Sequence, residues 1–385
     1  MKTKALYAGS FDPFTFGHLE VVKQALQKYD ELVIYVTNNP CKDYMFILEN
    51  RVQMVEDAVL ELPDCERIKV VSGSVSAVDI AIAYDVISLI RGIRPSTTDL
   101  QEETNFSLIN EHLASIRNKE LKTDYIYVTD IFLQTVSSTV AKKLLTMHEF
   151  ILLAAMVPQN VYNQMMKKEF DACIDKLFLH YDDQCIVKRM LQNAYSERGY
   201  HSLQHLGDML NMLAYYAQQT EGSFNPKNYY DVILAILWHD MVIEGDEKET
   251  AEEKSVKSLL HITGEWAENI NEDINREEVI GMIRATQLGV PATTEKQKLI
   301  ADLDKVVLGA SFVPWWRRYE GGLRMEYPEA TDKEYLEGRI KFLRKLKSLD
   351  RIYQTDFFYK QLEATAKTNI SISICLLKSE LQALS

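Results

Sequence analysis

At 385 residues the chain exceeds what one ordinary core organises, so its length favours two domains. Hydrophobic residues make up 46% and charged residues 26%, the balance of a soluble globular protein. The net charge of −13 excludes a protein that coats nucleic acid or an anionic membrane.

In chain order, Ala5-Leu6-Tyr7-Ala8, Leu32-Val33-Ile34-Tyr35-Val36, Ile68-Lys69-Val70-Val71, Val86-Ile87-Ser88-Leu89-Ile90 and Tyr125-Ile126-Tyr127-Val128 read as buried strands. Amphipathic stretches lie between them, such as Leu19–Tyr29, where Val22, Ala25, Leu26 and Tyr29 recur at helical spacing. The alternation predicts an α/β domain: a Rossmann-like, five-stranded parallel sheet with ligands at the carboxyl ends of its strands. From about Phe170 the strand signal stops, and helices are predicted over Cys185–Tyr195, Leu203–Ala217, Tyr229–His239, Glu277–Thr286, Lys296–Leu308, Lys333–Leu349 and Asp356–Ala366. The expected organisation is therefore an α/β domain over 1–168 and an all-α domain over 169–385. Residues 1–168 hold 17 basic and 21 acidic side chains, a net −4, and the remainder 26 and 35, a net −9. No low-complexity linker separates the halves, so a helix is expected to join them.

No apolar run reaches the ~18–20 residues that span a bilayer, and the stretch Ala5–Gly9 after a basic start is too short for a secretory signal. The five cysteines (Cys41, Cys65, Cys173, Cys185 and Cys375) are odd in number and form no C-x-x-C pair. They exclude a disulfide framework and a thiolate zinc knuckle, and imply a reducing, cytoplasmic setting.

The segment Gly9-Ser10-Phe11-Asp12-Pro13-Phe14-Thr15-Phe16-Gly17-His18 follows the first strand and opens the first helix. Gly9 and Gly17 allow close backbone approach to a ligand, and a helix N-terminus offers N–H groups to phosphate. His18 and Ser10 add side-chain donors at that mouth. Thr15-Phe16-Gly17-His18 resembles the T-x-G-H signature of the nucleotidyltransferase superfamily. Further segments, in order, narrow the resemblance to phosphopantetheine adenylyltransferase, an enzyme of coenzyme A synthesis. They are Asn39-Pro40-Cys41-Lys42 with Glu49-Asn50-Arg51-Val52, Arg91-Gly92-Ile93-Arg94, Val136-Ser137-Ser138-Thr139-Val140 and Val157-Pro158-Gln159-Asn160-Val161. The likeness spans about residues 3–168, with Phe16 standing where the family commonly has Asn.

That resemblance implies adenylyl transfer from ATP to 4′-phosphopantetheine, with positioning and charge stabilisation in place of a protein nucleophile. It makes His18 the group that stabilises the transferring α-phosphate, Lys42 the holder of both phosphates, and Arg91 the ligand of the phosphopantetheine phosphate. Ser10 bridges the two substrates. Phe11, Gly17, Gly92, Ile93, Arg94, Glu103, Ser137, Ser138 and Thr139 cradle ATP, with Mg²⁺ on its polyphosphate. Singly, Lys42 and Arg94 read as solvated charges, and Ser137-Ser138 as a helix N-cap. A different acceptor, such as nicotinate mononucleotide, or cytidylyl transfer remains the alternative. The family's habit implies a homo-oligomer.

In the second half, Tyr200-His201-Ser202-Leu203-Gln204-His205 begins one helix, and Leu237-Trp238-His239-Asp240 ends another. Spacing i, i+4 puts His201 and His205 on one helical face. Imidazoles with carboxylates and no thiolate suit a hydrolytic divalent metal. With Glu253-Lys254-Ser255-Val256 and Asp302-Leu303-Asp304 downstream, the order resembles an HD-domain metal-dependent phosphohydrolase over about residues 170–370. The resemblance implies His205, His239, Asp240 and Asp302 as ligands of Mn²⁺, Fe²⁺, Co²⁺ or a similar ion, with Asp304 competing for the last place. It implies His201 as a proton donor or phosphate contact, Glu253 as a group that positions a metal water, and a phosphorylated small molecule or nucleotide as substrate. The alternative is a non-catalytic ligand-binding or oligomerising module. A kinase is excluded, because residues 170–385 contain no G-x-x-x-x-G-K-[ST] loop.

Overall fold

A computed structural model describes residues 2–40, 42–93, 97–147, 149–196, 198–246, 248–265, 269–310 and 316–384; side chains at 97–106, 150, 151, 265, 317 and 318 lie outside that description. The chain divides into two compact units, Met1–Met165 and Met166–Ser385.

The apolar runs of the first unit become five parallel strands, β1 (Lys4–Gly9), β2 (Glu31–Thr37), β3 (Ile68–Gly73), β4 (Ser88–Ile93) and β5 (Lys122–Tyr127), in the order β3-β2-β1-β4-β5. Five consecutive residues of β2, Leu32–Val36, are buried, which is how a strand covered on both faces must read. Helices α1 (Phe16–Lys28), α2 (Leu48–Leu60), α3 (Ala77–Ala83) and α4 (Thr97–Ile116) alternate with the strands. After β5 come α5 (Ile131–Thr135), α6 (Ser138–Thr146), α7 (Phe150–Ala154) and α8 (Gln159–Leu177). This is a Rossmann-like fold. The chain winds outward through β2 and β3, then returns to the other side of β1 as β4. The carboxyl ends of β1 and β4 therefore splay at a topological switch point, where open α/β sheets form their ligand crevice.

Local packing sharpens that crevice. A Cβ on Gly92 would come within 2.7 Å of Val21 in α1, so glycine is what lets α1 settle on β4. The Val86 N–H bonds Ala81 O behind Asp85, whose φ is +52°; this turn delays β4 to Ser88, two residues after the run predicted from sequence. Strand β5 starts at Lys122, earlier than predicted, because its opening residues are those of a partly exposed edge.

The second unit is helical: α9 (Tyr181–Tyr195), α10 (Leu203–Glu221), α11 (Tyr230–Trp238), α12 (Ala251–Glu265), α13 (Arg276–Thr286), α14 (Glu295–Asp304), and further helices Asp332–Lys347 and Asp356–Ala383. All nine residues of α11 are buried, as expected of a helix apolar on every side, and it packs among α10, α12, α13 and α14. Helix α12 has no counterpart in the sequence reading, which took its first turn as a motif. Among the described residues, no helix is long and apolar enough to cross a membrane.

Leu6 lies fully buried in the central strand, whereas Leu60, at the end of α2, is 66% exposed. Leu6→Ala should lower unfolding free energy by ~2–5 kcal/mol, and Leu60→Ala by no more than ~0.5 kcal/mol, in urea unfolding. Equal losses would contradict a core built on β1.

Candidate functional site

The turn between β1 and α1 is built around a histidine. Phe11 adopts a left-handed φ of 47°, and its ring folds back over Gly9, where a Cβ would lie 2.8 Å from it. Thr15 caps α1: its Oγ1 accepts from the His18 N–H at 3.4 Å, and its own N–H donates to His18 Nδ1 at 3.0 Å. This is a capping box with histidine in the place usually held by Glu or Gln. A backbone N–H can only donate, so Nδ1 is an acceptor and the neutral ring carries its proton on Nε2. The ring is held flat against Phe14 (5.5 Å, 25°) and edge-on to Phe11 (5.2 Å, 89°).

A cavity of about 520 Å³ opens here, and it gathers most of the residues expected to act together: Ser10, Phe11, Gly17, His18, Lys42, Arg91, Gly92, Ser137, Ser138 and Thr139. Lys42 Nζ reaches Ser10 Oγ at 3.4 Å across two different loops. Arg91 arrives from the carboxyl end of β4. Ile93, expected beside ATP, has its side chain in the core at 2% exposure. Arg94 and the side chain of Glu103 lie outside the described residues. Both serine hydroxyls also make contacts within the protein. Ser137 Oγ caps α6 by accepting from Val140 N at 3.1 Å, and Ser138 Oγ donates to Pro13 O at 2.8 Å. What they present to the cavity is the start of α6, fastened to the β1–α1 turn.

Two residues of this site stand in sequence only within longer motifs, with no role of their own assigned there. Asp12 and Arg51 are both buried beneath the cavity wall. The available signal was an arginine on the apolar stripe of α2, in line with Val55 and Ala58.

In the second unit, four side chains converge so that one donor atom from each lies within 4.8 Å of all the others: His205 from the first turn of α10, His239 and Asp240 from the end of α11, and Asp304 from the last residue of α14. His239 Nδ1 contacts Ile236 O at 2.9 Å; a carbonyl can only accept, so Nδ1 bears a proton and Nε2 is the ring nitrogen turned inward. That Nε2 lies 3.3 Å from His205 Nε2, 2.9 Å from Asp240 Oδ2 and 3.7 Å from Asp304 Oδ1. Asp240 Oδ2 is buried without a hydrogen bond despite these neighbours. Burial disfavours charge on His239, but Asp240 and Asp304 outweigh it and push its pKa up to about 10. Burial would raise Asp240, yet His239 and His201 hold it down at about 2. Asp304 is likewise held well below the usual carboxylate range, against the effect of burial, by the neighbouring imidazoles of His205 and His239. Two imidazoles and two carboxylates converging on one point form a donor set that could hold a divalent transition metal.

Asp302 is not in this cluster. It is fully buried, and its carboxylate accepts from Gln354 N (2.6 Å), Thr355 N (2.7 Å) and Thr355 Oγ1 (2.7 Å), anchoring the start of the helix Asp356–Ala383. Asp304, not the expected Asp302, joins the other three: two residues apart on a helix are about 200° apart in direction, so only one of the pair can face His205. Glu253 also departs from expectation. It is engaged by Arg284 through two bonds of 2.6 and 3.1 Å and does not join the four. His201 does stand beside them. Its Nε2 is 3.9 Å from Asp240 Oδ2, while its Nδ1 meets Glu326 Oε2 at 2.6 Å. The other Glu326 oxygen accepts from the backbone N–H groups of Tyr200 and His201, both at 2.7 Å.

A family profile described as Cytidylyltransferase-like matches residues 6–169. The phosphopantetheine adenylyltransferase of Streptococcus equi subsp. zooepidemicus is 36% identical over 162 residues, covering 42% of this chain and 92% of that protein. The phosphopantetheine adenylyltransferase of Desulfatibacillum aliphaticivorans is 33% identical over 171 residues, covering 44% and 91%. Among solved structures, the Plasmodium falciparum nicotinic acid mononucleotide adenylyltransferase complexed with NaAD matches at 16% identity and a TM-score of 0.36, over 44% of this chain and 97% of that one. With relatives matched over nine-tenths of their length, and the His18 turn and its cavity within the matched span, the chain belongs through its first unit to the phosphopantetheine adenylyltransferase family.

Proposed function

We propose that the first unit transfers the adenylyl group of ATP to the phosphate of 4′-phosphopantetheine, releasing pyrophosphate and forming dephospho-coenzyme A. The observation that carries this reading is the meeting of His18, Lys42, Ser10 and Arg91 in one cavity at the switch point. A phosphate oxygen of the acceptor attacks the α-phosphorus of ATP, and the bond to the bridging oxygen of the β-phosphate breaks. No proton must leave the attacking monoester, so the residues' task is to place two anions together and stabilise the charge that develops between them. His18 donates through Nε2–H to the α-phosphate. Lys42 and Ser10 draw the two phosphates together, and Arg91 fixes the acceptor phosphate by a guanidinium fork. Magnesium enters with ATP as part of the substrate.

The second unit is a metal-dependent phosphohydrolase acting on a phosphorylated small molecule or a nucleotide. His205, His239, Asp240 and Asp304 would hold the ion; their convergence, with His239 Nε2 turned inward and Asp240 Oδ2 buried without a hydrogen bond, supports that assignment. A divalent ion such as Mn²⁺, Fe²⁺ or Co²⁺ bound there supplies an activated water at neutral pH. His201, oriented by Glu326, holds or delivers a proton at the phosphoester.

Purified protein given ATP and 4′-phosphopantetheine should release pyrophosphate, and His18→Ala should lower kcat by about 10²–10³-fold with the melting temperature unchanged. Turnover of nicotinate mononucleotide, or of CTP, in place of these substrates would overturn the assignment.

After refilling with Mn²⁺ or Co²⁺, elemental analysis should find metal bound to the wild type and lost from Asp304→Ala. Asp302→Asn should keep the metal while losing ~1–3 kcal/mol of stability, because it leaves buried N–H donors imperfectly matched. Metal retained by Asp304→Ala and lost from Asp302→Asn would reverse the two roles. Chelation should abolish hydrolysis of p-nitrophenyl phosphate and restoration of Mn²⁺ should return it; hydrolysis indifferent to chelator would refute a metal-dependent reaction.

A further inference from the structure

Lys42 acts from a loop with no secondary structure of its own, and something must hold that loop against the β1–α1 turn. Arg51 is fully buried at the base of both. Its Nη1 donates to Ser10 O at 2.7 Å and to Thr37 O at 2.8 Å, joining the phosphate-binding turn to the end of β2. Its Nη2 donates to Asn38 Oδ1 at 3.0 Å, where the lysine loop begins, and its Nε donates to Phe46 O at 3.1 Å, where that loop ends. The Tyr44 ring lies 3.8 Å beneath the guanidinium, while the Tyr44 hydroxyl accepts from Asn39 N at 2.8 Å. The buried carboxylate of Asp12 completes the fastening from the turn, accepting from Met45 N at 2.9 Å and Phe46 N at 3.0 Å.

We infer that Arg51 is a positioning residue for adenylyl transfer: its planar fork fixes Ser10 and both ends of the Lys42 loop at one spacing, and so sets the 3.4 Å approach of Lys42 Nζ to Ser10 Oγ. This rests on the adenylyl-transfer reading of the same cavity. Guanidinium geometry is what the task needs. A lysine ammonium keeps the charge but is a point donor and cannot span carbonyls that lie in one plane on three sides. Displacing a reacting group by about 1 Å costs on the order of 10²-fold in rate.

Arg67 provides a control of the same chemistry elsewhere. It too ties backbone carbonyls together, donating to Asp30 O (3.0 Å), Leu26 O (2.7 Å) and Tyr29 O (2.6 Å), at the opposite end of the sheet and away from the cavity. Arg51→Lys should lower kcat by about 10²-fold while the KM for ATP changes by less than about threefold. Arg67→Lys should lower the melting temperature without that loss of kcat. In a Lys42→Ala background, Arg51→Lys should add little further loss, because its effect runs through Lys42. Hydrogen exchange should quicken across residues 38–46 in Arg51→Lys and stay unchanged there in Arg67→Lys. Should Arg51→Lys not fold, Asn38→Ala removes one arm of the same tie and should show the same pattern at about tenfold. A folded Arg51→Lys with wild-type kcat and wild-type exchange over 38–46, or one whose kcat loss is undiminished in the Lys42→Ala background, would overturn the inference. Absence of turnover in the wild type would sink the adenylyl-transfer reading instead, and the exchange measurement would still decide whether Arg51 holds the loop.

Discussion

A polar group taken out of water must find partners with matched geometry, and both sites of this protein are shaped by that requirement. Arg51, Asp12 and Asp302 are buried charges whose partners are largely main-chain groups. Each such bond fixes a stretch of backbone close to the cavity of the first unit or the four-residue cluster of the second. The four converging ligands of the second unit are the complementary case. There the partners are deliberately insufficient: Asp240 Oδ2 is buried without a hydrogen bond, and two imidazole nitrogens face each other at 3.3 Å. A site that is satisfied holds position; a site left unsatisfied is open to a ligand that would satisfy it.

The same economy of hydrogen bonds sets the chemical state of the histidines. His18 is at once a helix cap and a donor, since the bond that completes the capping box also forces its proton to Nε2. His239 is turned the other way by Ile236 O, which takes Nδ1–H and leaves Nε2 facing the cluster. Two histidines of identical intrinsic chemistry are thus fixed in opposite orientations by the local backbone alone. This matters on a chain whose net charge is −13, with −9 of it beyond residue 168. Anionic ligands must be won by short-range donors and cations, which act inside a Debye length, against an unfavourable field from the whole.

The sheet was legible because strands buried on both faces are written as unbroken apolar runs, as Leu32–Val36 shows. The edges were less so: β5 opens on Lys122-Thr123-Asp124, which carries no such run. Single-residue chemistry was readable where the neighbours in sequence are the neighbours in space, as with Thr15 and His18. It failed where partners are distant. Asp302 and Asp304 are equivalent in sequence, and the choice between them is made by Thr355, more than fifty residues on. Glu253 is claimed by Arg284, and Arg51 binds carbonyls, which leave no trace in a sequence. The serine pair read as a possible ATP cradle is, side chain by side chain, the cap and fastening of α6.

The anchoring of the histidines also bears on how the two chemistries can change over generations. His18 and His239 take their orientation from main-chain atoms of Thr15 and Ile236, which every substitution at those positions except proline at 15 would still supply. Their protonation patterns are therefore insulated from mutational drift. His201 is held by the side chain of Glu326, 125 residues away, and one nucleotide change there can release it. Of the three, His201 is the one whose orientation a distant substitution can change while the four-residue cluster beside it stays intact.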